Sequence, residues 1–499
     1  MAPIAMTDSG AVRGLDRGAH LAFLGVPYAA PPVGPRRFTA PVPHEPWSGT
    51  RDATAFGDAA PQDPFVPASF RATVPEGEDC LSLNVYTPAL DGERRPVLFW
   101  IHGGGFSHGS GSQLAYDGGP LAERGDVVVV TINYRVGALG YLYLGGHGGD
   151  TWGAAVNVGQ LDQIAALRWV HDNIERFGGD ADNVTIFGQS AGGVAVSTLL
   201  AMPAANGLFH KAVAQSGTAN RLGDTDFASR VTTQYLERLG IPDADPDRLR
   251  SVAVADLLAA QGPRGPLSPV VDGDTLPTHP LRAVRDGGAS HVTLMLGTAR
   301  DEQKLYVAKD RPEVDDVELE RQVLQYLPRR AADRVGEVIE VYRTSRADRG
   351  LPATGNDISD AVATASRFRF PATQLAEAQA AHRPTFMYQV DWESPARRGA
   401  LGACHGIEIP FVFGTVGRTG NDRMSGTGPD ADRLAEQMMD AWIAFARTGD
   451  PGHDGIGPWP PYDTTDRHTM IFGRQCGAQS APFEEERAIW ESMIARPNA

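Results

Sequence analysis

Val184-Thr185-Ile186-Phe187-Gly188-Gln189-Ser190-Ala191-Gly192-Gly193 reads as a short apolar strand, a tight turn at Ser190, and the start of a helix that continues over residues 194–200. Small residues on both sides of the serine let the strand and helix backbones approach closely, and the turn strains the serine backbone. Further out, residues 97–101 and 127–132 are short runs that are apolar on both faces, as expected of buried strands. The first runs into His102-Gly103-Gly104-Gly105-Phe106, and the second is closed by Asn133-Tyr134-Arg135. Between these strands and the serine, Leu161, Ile164, Leu167, Val170, Ile174 and Phe177 recur at three and four residues, one face of a helix stopped by Gly178-Gly179. Residues 292–297 form another mostly apolar run ending in glycine. Strands alternating with helices predict an α/β fold with a mostly parallel central sheet flanked by helices. In such a fold ligands bind beyond the C-terminal ends of the strands.

Between about 306 and 385 the pattern changes. Leu319, Val323 and Leu327, then Val335, Ile339 and Tyr342, have helical spacing and no clear strand intervenes, which predicts a helical cap segment. No linker, low-complexity tract or internal repeat divides the 499 residues, so a single domain over 1–499 is expected.

The formal net charge of −16 argues against nucleic acid as a partner, because phosphate binding needs clustered Lys and Arg. Three cysteines, Cys80, Cys404 and Cys476, cannot all pair, so reduced thiols and a cytoplasmic location are expected. Residues 1–14 are neither basic nor followed by an apolar core, unlike a signal peptide. The apolar runs are far shorter than the ~20 residues of a membrane span, so no membrane association is expected.

Gly188-Gln189-Ser190-Ala191-Gly192 has the form G-x-S-x-G, here in the strand-turn-helix setting that holds a serine hydroxyl out of a sheet. A serine nucleophile needs a base, and the base needs a carboxylate to orient it. In this chain order the acid follows the serine and the histidine follows the acid. His405 lies among small residues in Gly402-Ala403-Cys404-His405-Gly406. Asp301 and Glu302 both follow the run at 292–297, and order alone does not choose between them. An oxyanion needs preorganised N–H donors. Gly103-Gly104-Gly105 and the N–H of Ala191 are suited to supply them. The rival reading, a phosphate-binding loop, fails because the glycines lack both G-x-x-x-x-G-K-[ST] and G-x-G-x-x-G spacing.

These residues lie within a longer series of motifs. Phe23-Leu24-Gly25-Val26-Pro27-Tyr28-Ala29, Glu78-Asp79-Cys80-Leu81-Ser82-Leu83-Asn84-Val85, NYRVGALGYL at 133–142, FGGDADNVTIFGQSAGG at 177–193, GTARDE at 297–302, GACHGIEIPFVFG at 402–414 and WIAFARTGDP at 442–451 run nearly end to end. In these the chain resembles the type-B carboxylesterases of the α/β-hydrolase superfamily, the group that includes bacterial para-nitrobenzyl esterases and cholinesterases. The resemblance implies a serine esterase with Ser190, Glu302 and His405 as catalytic triad, and Gly104, Gly105 and Ala191 as oxyanion hole. It also implies Gln189, Ser216 and Glu408 as supports around the triad, and Arg37–Glu78 and Arg135–Asp180 as structural ion pairs. Two positions depart from the family pattern. Gln189 stands where many relatives carry Glu, which weakens any preference for cationic esters. Ala60 stands where extracellular members carry a partner for Cys80, leaving that thiol free.

The expected reaction is hydrolysis of small-to-medium neutral esters, with water as second substrate and no metal or cofactor; the sequence carries no signal for an oligomeric state. Two rivals are a carbamate or amide hydrolase using the same residues, and a non-catalytic cholinesterase-like binding protein. Retention of Ser190, Glu302 and His405 disfavours the second.

Overall fold

The runs that are apolar on both faces become the middle of one sheet. In the computed structural model, which describes residues 2–63, 66, 71–147, 152, 155–219, 222–262 and 267–494, Arg95–Ile101, Val128–Ile132, Gly179–Gln189, Lys211–Gln215, Thr293–Ala299, Thr385–Val390 and Thr469–Phe472 form a parallel array. Antiparallel strands extend both edges to give eleven strands among the described residues.

Alternate residues of each central strand feed different cores. Val97, Phe99, Ile101, Val130 and Ile186 face one side. Leu98, Trp100, Val129 and Phe187 face the other. Helices cover both, as a parallel sheet requires. Val158–Asn173 places Ile164, Leu167 and Val170 on the first face, and Pro429–Thr448 places Leu434, Met438, Trp442 and Phe445 on the second. Each such fully buried Leu, Ile, Val, Met or Phe side chain contributes ~1.5–3 kcal/mol relative to exposure. The expected helix over 161–177 ends at Asn173 and tightens into a 3₁₀ turn, Ile174–Phe177, before Gly178 turns the chain at φ +77°.

The region of helical spacing contains Asp316–Leu324, Val335–Asp348, Gly355–Thr364 and Phe370–Ala380, joined between the last two by a π turn, Ala365–Arg369. Leu319, Val323, Val338, Tyr342 and Ile358 pack with Trp490 of the helix Glu484–Ile494 into a third apolar cluster. No described helix is long and apolar enough to cross a membrane.

One expected ion pair forms and one does not. Arg37 grips Glu78 through Nε and Nη2 at 2.5 and 2.6 Å and ties the Arg250 and Val252 carbonyls with Nη1. Arg135 does not meet Asp180. It donates from Nη2 and Nε to buried Asp162 at 2.6 and 2.8 Å. The reason is topological: Arg135 follows the C-terminal end of its strand, whereas Asp180 opens a parallel strand at the opposite end of the sheet, where it meets Arg94.

Candidate active site

Ser190 sits between the strand Gly179–Gln189 and the helix Ala191–Leu199, with φ +58° and ψ −124°. The helix thus begins at Ala191, directly after the serine and three residues earlier than the apolar run suggests. A non-glycine residue at positive φ stores strain, which the surroundings must hold in place. Here they are main chain. The Ser190 N–H donates to the Gln215 carbonyl at 2.8 Å. A Cβ on Gly192 would stand 2.1 Å from the Ile101 carbonyl oxygen, and one on Gly217 would stand 2.0 Å from that of Ser190. Only glycine fits either place.

The 103–105 loop approaches from the end of Arg95–Ile101. A Cβ on Gly103 would lie 2.6 Å from the Gln189 carbonyl oxygen and 3.2 Å from the Ser190 Cβ. Gly104 (φ +116°) and Gly105 (φ +60°) turn the loop. It is tied by Ser107 and His108 N–H groups donating to the Gly104 carbonyl at 3.0 and 3.1 Å. His102 at its base is buried and stacked on Tyr134 with ring centroids 4.3 Å apart. Burial pulls its pKa down to about 4, so it is neutral and structural.

His405 and Glu302 meet. His405 Nδ1–H donates to Glu302 Oε2 at 2.5 Å, and Glu302 Oε1 accepts the Ala299 N–H at 2.7 Å. Glu302 has no exposed surface. With the proton on Nδ1, Nε2 is left as an acceptor, and the Gln189 side-chain amide donates to it at 3.2 Å. Asp301 points elsewhere. Its Oδ2 accepts the Ala403 N–H at 3.1 Å and Arg300 Nη2 at 2.9 Å, and its own N–H donates to the Ala403 carbonyl at 2.9 Å. Asp301 therefore ties down the loop that carries His405, while Glu302 touches the imidazole. Gly402 (φ +54°) lets that loop pass, since a Cβ there would sit 2.6 Å from Asp301 Oδ2. The Cys404 thiol is pushed up to about 12 by burial and by the charge of Glu302, so it is inert.

Glu408 and Ser216 are both buried, and Glu408 lies close enough to His405 to feel its charge. Burial, then the neighbouring charge of Glu302, raises the Glu408 carboxyl to about 7. Gln215 Nε2 donates to its Oε1 at 3.4 Å, and among the described residues its Oε2 and the Ser216 hydroxyl have no hydrogen-bond partner. Ser216 takes φ +47°, and its N–H donates to the Gly297 carbonyl at 2.8 Å.

The structure adds three side chains that the motifs did not indicate. Tyr306 and Phe368 lie against His405 with ring centroids 5.4 and 5.1 Å away, both tilted by 45°. The Tyr306 phenol neighbours the Ser190 side chain. Arg367 lies over both rings. Tyr306 follows Glu302 by four residues, on the same turn, and that proximity was its only sequence signal. Phe65 and Phe70, the two phenylalanines between residues 62 and 76, lie outside the described residues.

A largely parallel sheet, a strained serine at the end of one of its strands, and a carboxylate-oriented histidine define an α/β-hydrolase. The model of the carboxylesterase family matches residues 1–490. The chain is 37% identical to para-nitrobenzyl esterase of Bacillus subtilis (strain 168), covering 97% of each protein. It is 38% identical to phenmedipham hydrolase of Pseudarthrobacter oxydans, covering 96% of each. Among solved structures, a PNB esterase superposes with a TM-score of 0.88 at 35% identity over 100% of both chains. A Geobacillus stearothermophilus carboxylesterase gives 0.85 at 38% identity, covering 98% of this chain and 99% of that one. The chain belongs to the carboxylesterase family and is a carboxylic-ester hydrolase.

Proposed function

We propose that the chain hydrolyses carboxylic esters through an acyl-enzyme on Ser190, with His405 as general base and Glu302 as its orienting acid. The observation that carries this reading is the 2.5 Å contact from His405 Nδ1 to Glu302 Oε2, formed beside the strained Ser190. Ser190 Oγ attacks the ester carbonyl and its proton passes to His405 Nε2. That nitrogen has one lone pair, so the serine hydroxyl must displace the Gln189 amide from it. The oxyanion is held by the N–H groups of Gly104, Gly105 and Ala191. His405 then returns the proton to the departing alcohol. Water, deprotonated by the same nitrogen, releases the acid. Glu302 holds the Nδ1–H tautomer throughout and stabilises the imidazolium.

The substrates are small-to-medium neutral esters. The helices between 306 and 385 act as a cap on one domain, with Phe368 reaching the imidazole. The three free thiols suit a reducing, cytoplasmic setting. The relative named phenmedipham hydrolase favours a second reading, carbamate or amide hydrolysis by the same residues. Comparable turnover of a carbamate and a matched ester supports that second reading.

The test is Ser190→Ala with p-nitrophenyl butyrate. Loss of a nucleophile of this kind costs on the order of 10⁴–10⁶ in rate. A folded Ser190→Ala protein with a tenth of wild-type activity overturns the assignment.

A further inference from the structure

Arg367 has no role in the chemistry above, yet it stands one residue from a ring that touches the catalytic histidine. It lies in the π turn Ala365–Arg369 that joins two helices. Such turns insert an extra residue and re-aim the side chains around them. Here the outcome is a split. Arg369 turns away and donates to buried Glu486 at 2.8 Å. Phe368 turns to His405. Arg367 lies over Tyr306 and Phe368, its guanidinium carbon 5.4 and 5.7 Å from the two ring centroids. The rings themselves are nearly parallel, with an interplanar angle of 8°.

The guanidinium is under-used. Its Nη1 donates to Gln303 Oε1 at 3.0 Å. Among the described residues it forms no ion pair with a carboxylate. By contrast, Lys304 pairs with Asp301 and Asp357, Arg300 with Asp301 and Glu393, and Arg311 with Asp360. A guanidinium presents five donors in a fixed fork suited to a carboxylate. Stacking on ring faces leaves the edge of that fork available.

The side of the site is set by the chemistry. His405 gives its proton to the leaving oxygen, so the alcohol portion of the ester lies against the imidazole. Tyr306 and Phe368 wall that same imidazole, and Arg367 stands on those two rings. We propose that Arg367 is a specificity residue that receives a carboxylate carried at the far end of the alcohol portion of the ester. The substrate class is then an ester of a hydroxy acid, joined through its hydroxyl, taken in addition to neutral esters. This rests on the esterase reading above. The net charge of −16 repels anions at long range, but that field is screened over ~8 Å at physiological salt. Arg367 acts inside that distance.

The experiment compares kcat/KM for 5-(butyryloxy)pentanoate with that for its uncharged isostere, 5-methylhexyl butyrate. The ratio is measured in wild type, Arg367→Gln and Arg367→Lys, at low and high salt. The expected result is a fall of about tenfold or more in the carboxylate-to-isostere ratio in Arg367→Gln, as for loss of a charge-assisted contact. Lysine should restore part of it. High salt should lower the ratio in wild type and not in Arg367→Gln. A ratio unchanged by Arg367→Gln overturns the proposal. So does a parallel loss of both esters, which would make Arg367 only a prop for the rings. Hydrolysis of p-nitrophenyl butyrate, and its loss in Ser190→Ala, tests the underlying esterase reading separately.

Discussion

Replacing Glu408 with glutamine removes a carboxyl that is buried with Glu302, Tyr116, Tyr388, Cys404 and His405 around it. In the folded protein that carboxyl is raised from its ordinary 4.5 to about 7, first by burial and then by Glu302. Because the folded value lies above the unfolded one, the folded protein holds an extra proton between these two pH values. Its stabilising effect is fully present below the unfolded value and is lost as pH rises through the folded one. The span corresponds to about 3 kcal/mol in all, and most of it falls between pH 5 and pH 8. Glutamine keeps the shape and cannot ionise, so Glu408→Gln should abolish this share of the pH dependence. For a chain of 499 residues, unfolding entropy is about 1 kcal/mol/K, so the share amounts to about 2–3 °C in Tm. Scanning calorimetry of both proteins at pH 5 and pH 8 should show the variant gaining that much on wild type at the higher pH. A Tm difference that is the same at both pH values refutes the argument.

Glu302→Gln should lower kcat far more than Asp301→Asn, because only Glu302 touches the imidazole; loss of the orienting carboxylate costs about 10⁴ in comparable triads. If Asp301→Asn is the worse lesion with both variants folded, the acid is misassigned. Thiol titration in denaturant without reductant should count three free cysteines; a count of one contradicts the reducing setting. Butyrylcholine should be no better a substrate than 3,3-dimethylbutyl butyrate, because the residue beside the nucleophile is neutral Gln189 and the nearby rings already carry Arg367. A tenfold choline preference that survives high salt would point to a cation pocket.

The sheet was legible because its central strands are buried on both faces and carry no polar alternation: 97–101, 127–132 and 184–187 could not be surface strands. Ser190 was legible because strand, glycine and helix signals converge on it. Asp301 and Glu302 were not separable from residue order, since both follow one strand end. The direction of a 3₁₀ turn, Glu302–Leu305, decides which carboxyl meets the ring. Asp162 was hidden because a lone aspartate between the apolar positions of a helix looks like its solvent face. It is fully buried because Arg135 arrives from another element. Tyr306, Phe368 and Arg367 come together from two distant segments, one bent by a π turn, and no spacing rule reports that meeting.

The glycines packed around Ser190 separate two kinds of change available to this enzyme. The Ser190 backbone is held by carbonyls and Cα atoms of Ile101, Gln189, Gln215 and Gly217, which cannot drift as side chains can. The groups flanking His405 are side chains on a 3₁₀ turn and a π turn, partly open to solvent. Laboratory evolution toward new esters should therefore draw on these flanking side chains, Arg367 before Tyr306, whose phenol also neighbours the nucleophile. Any side chain added at 192 or 217 should abolish it outright.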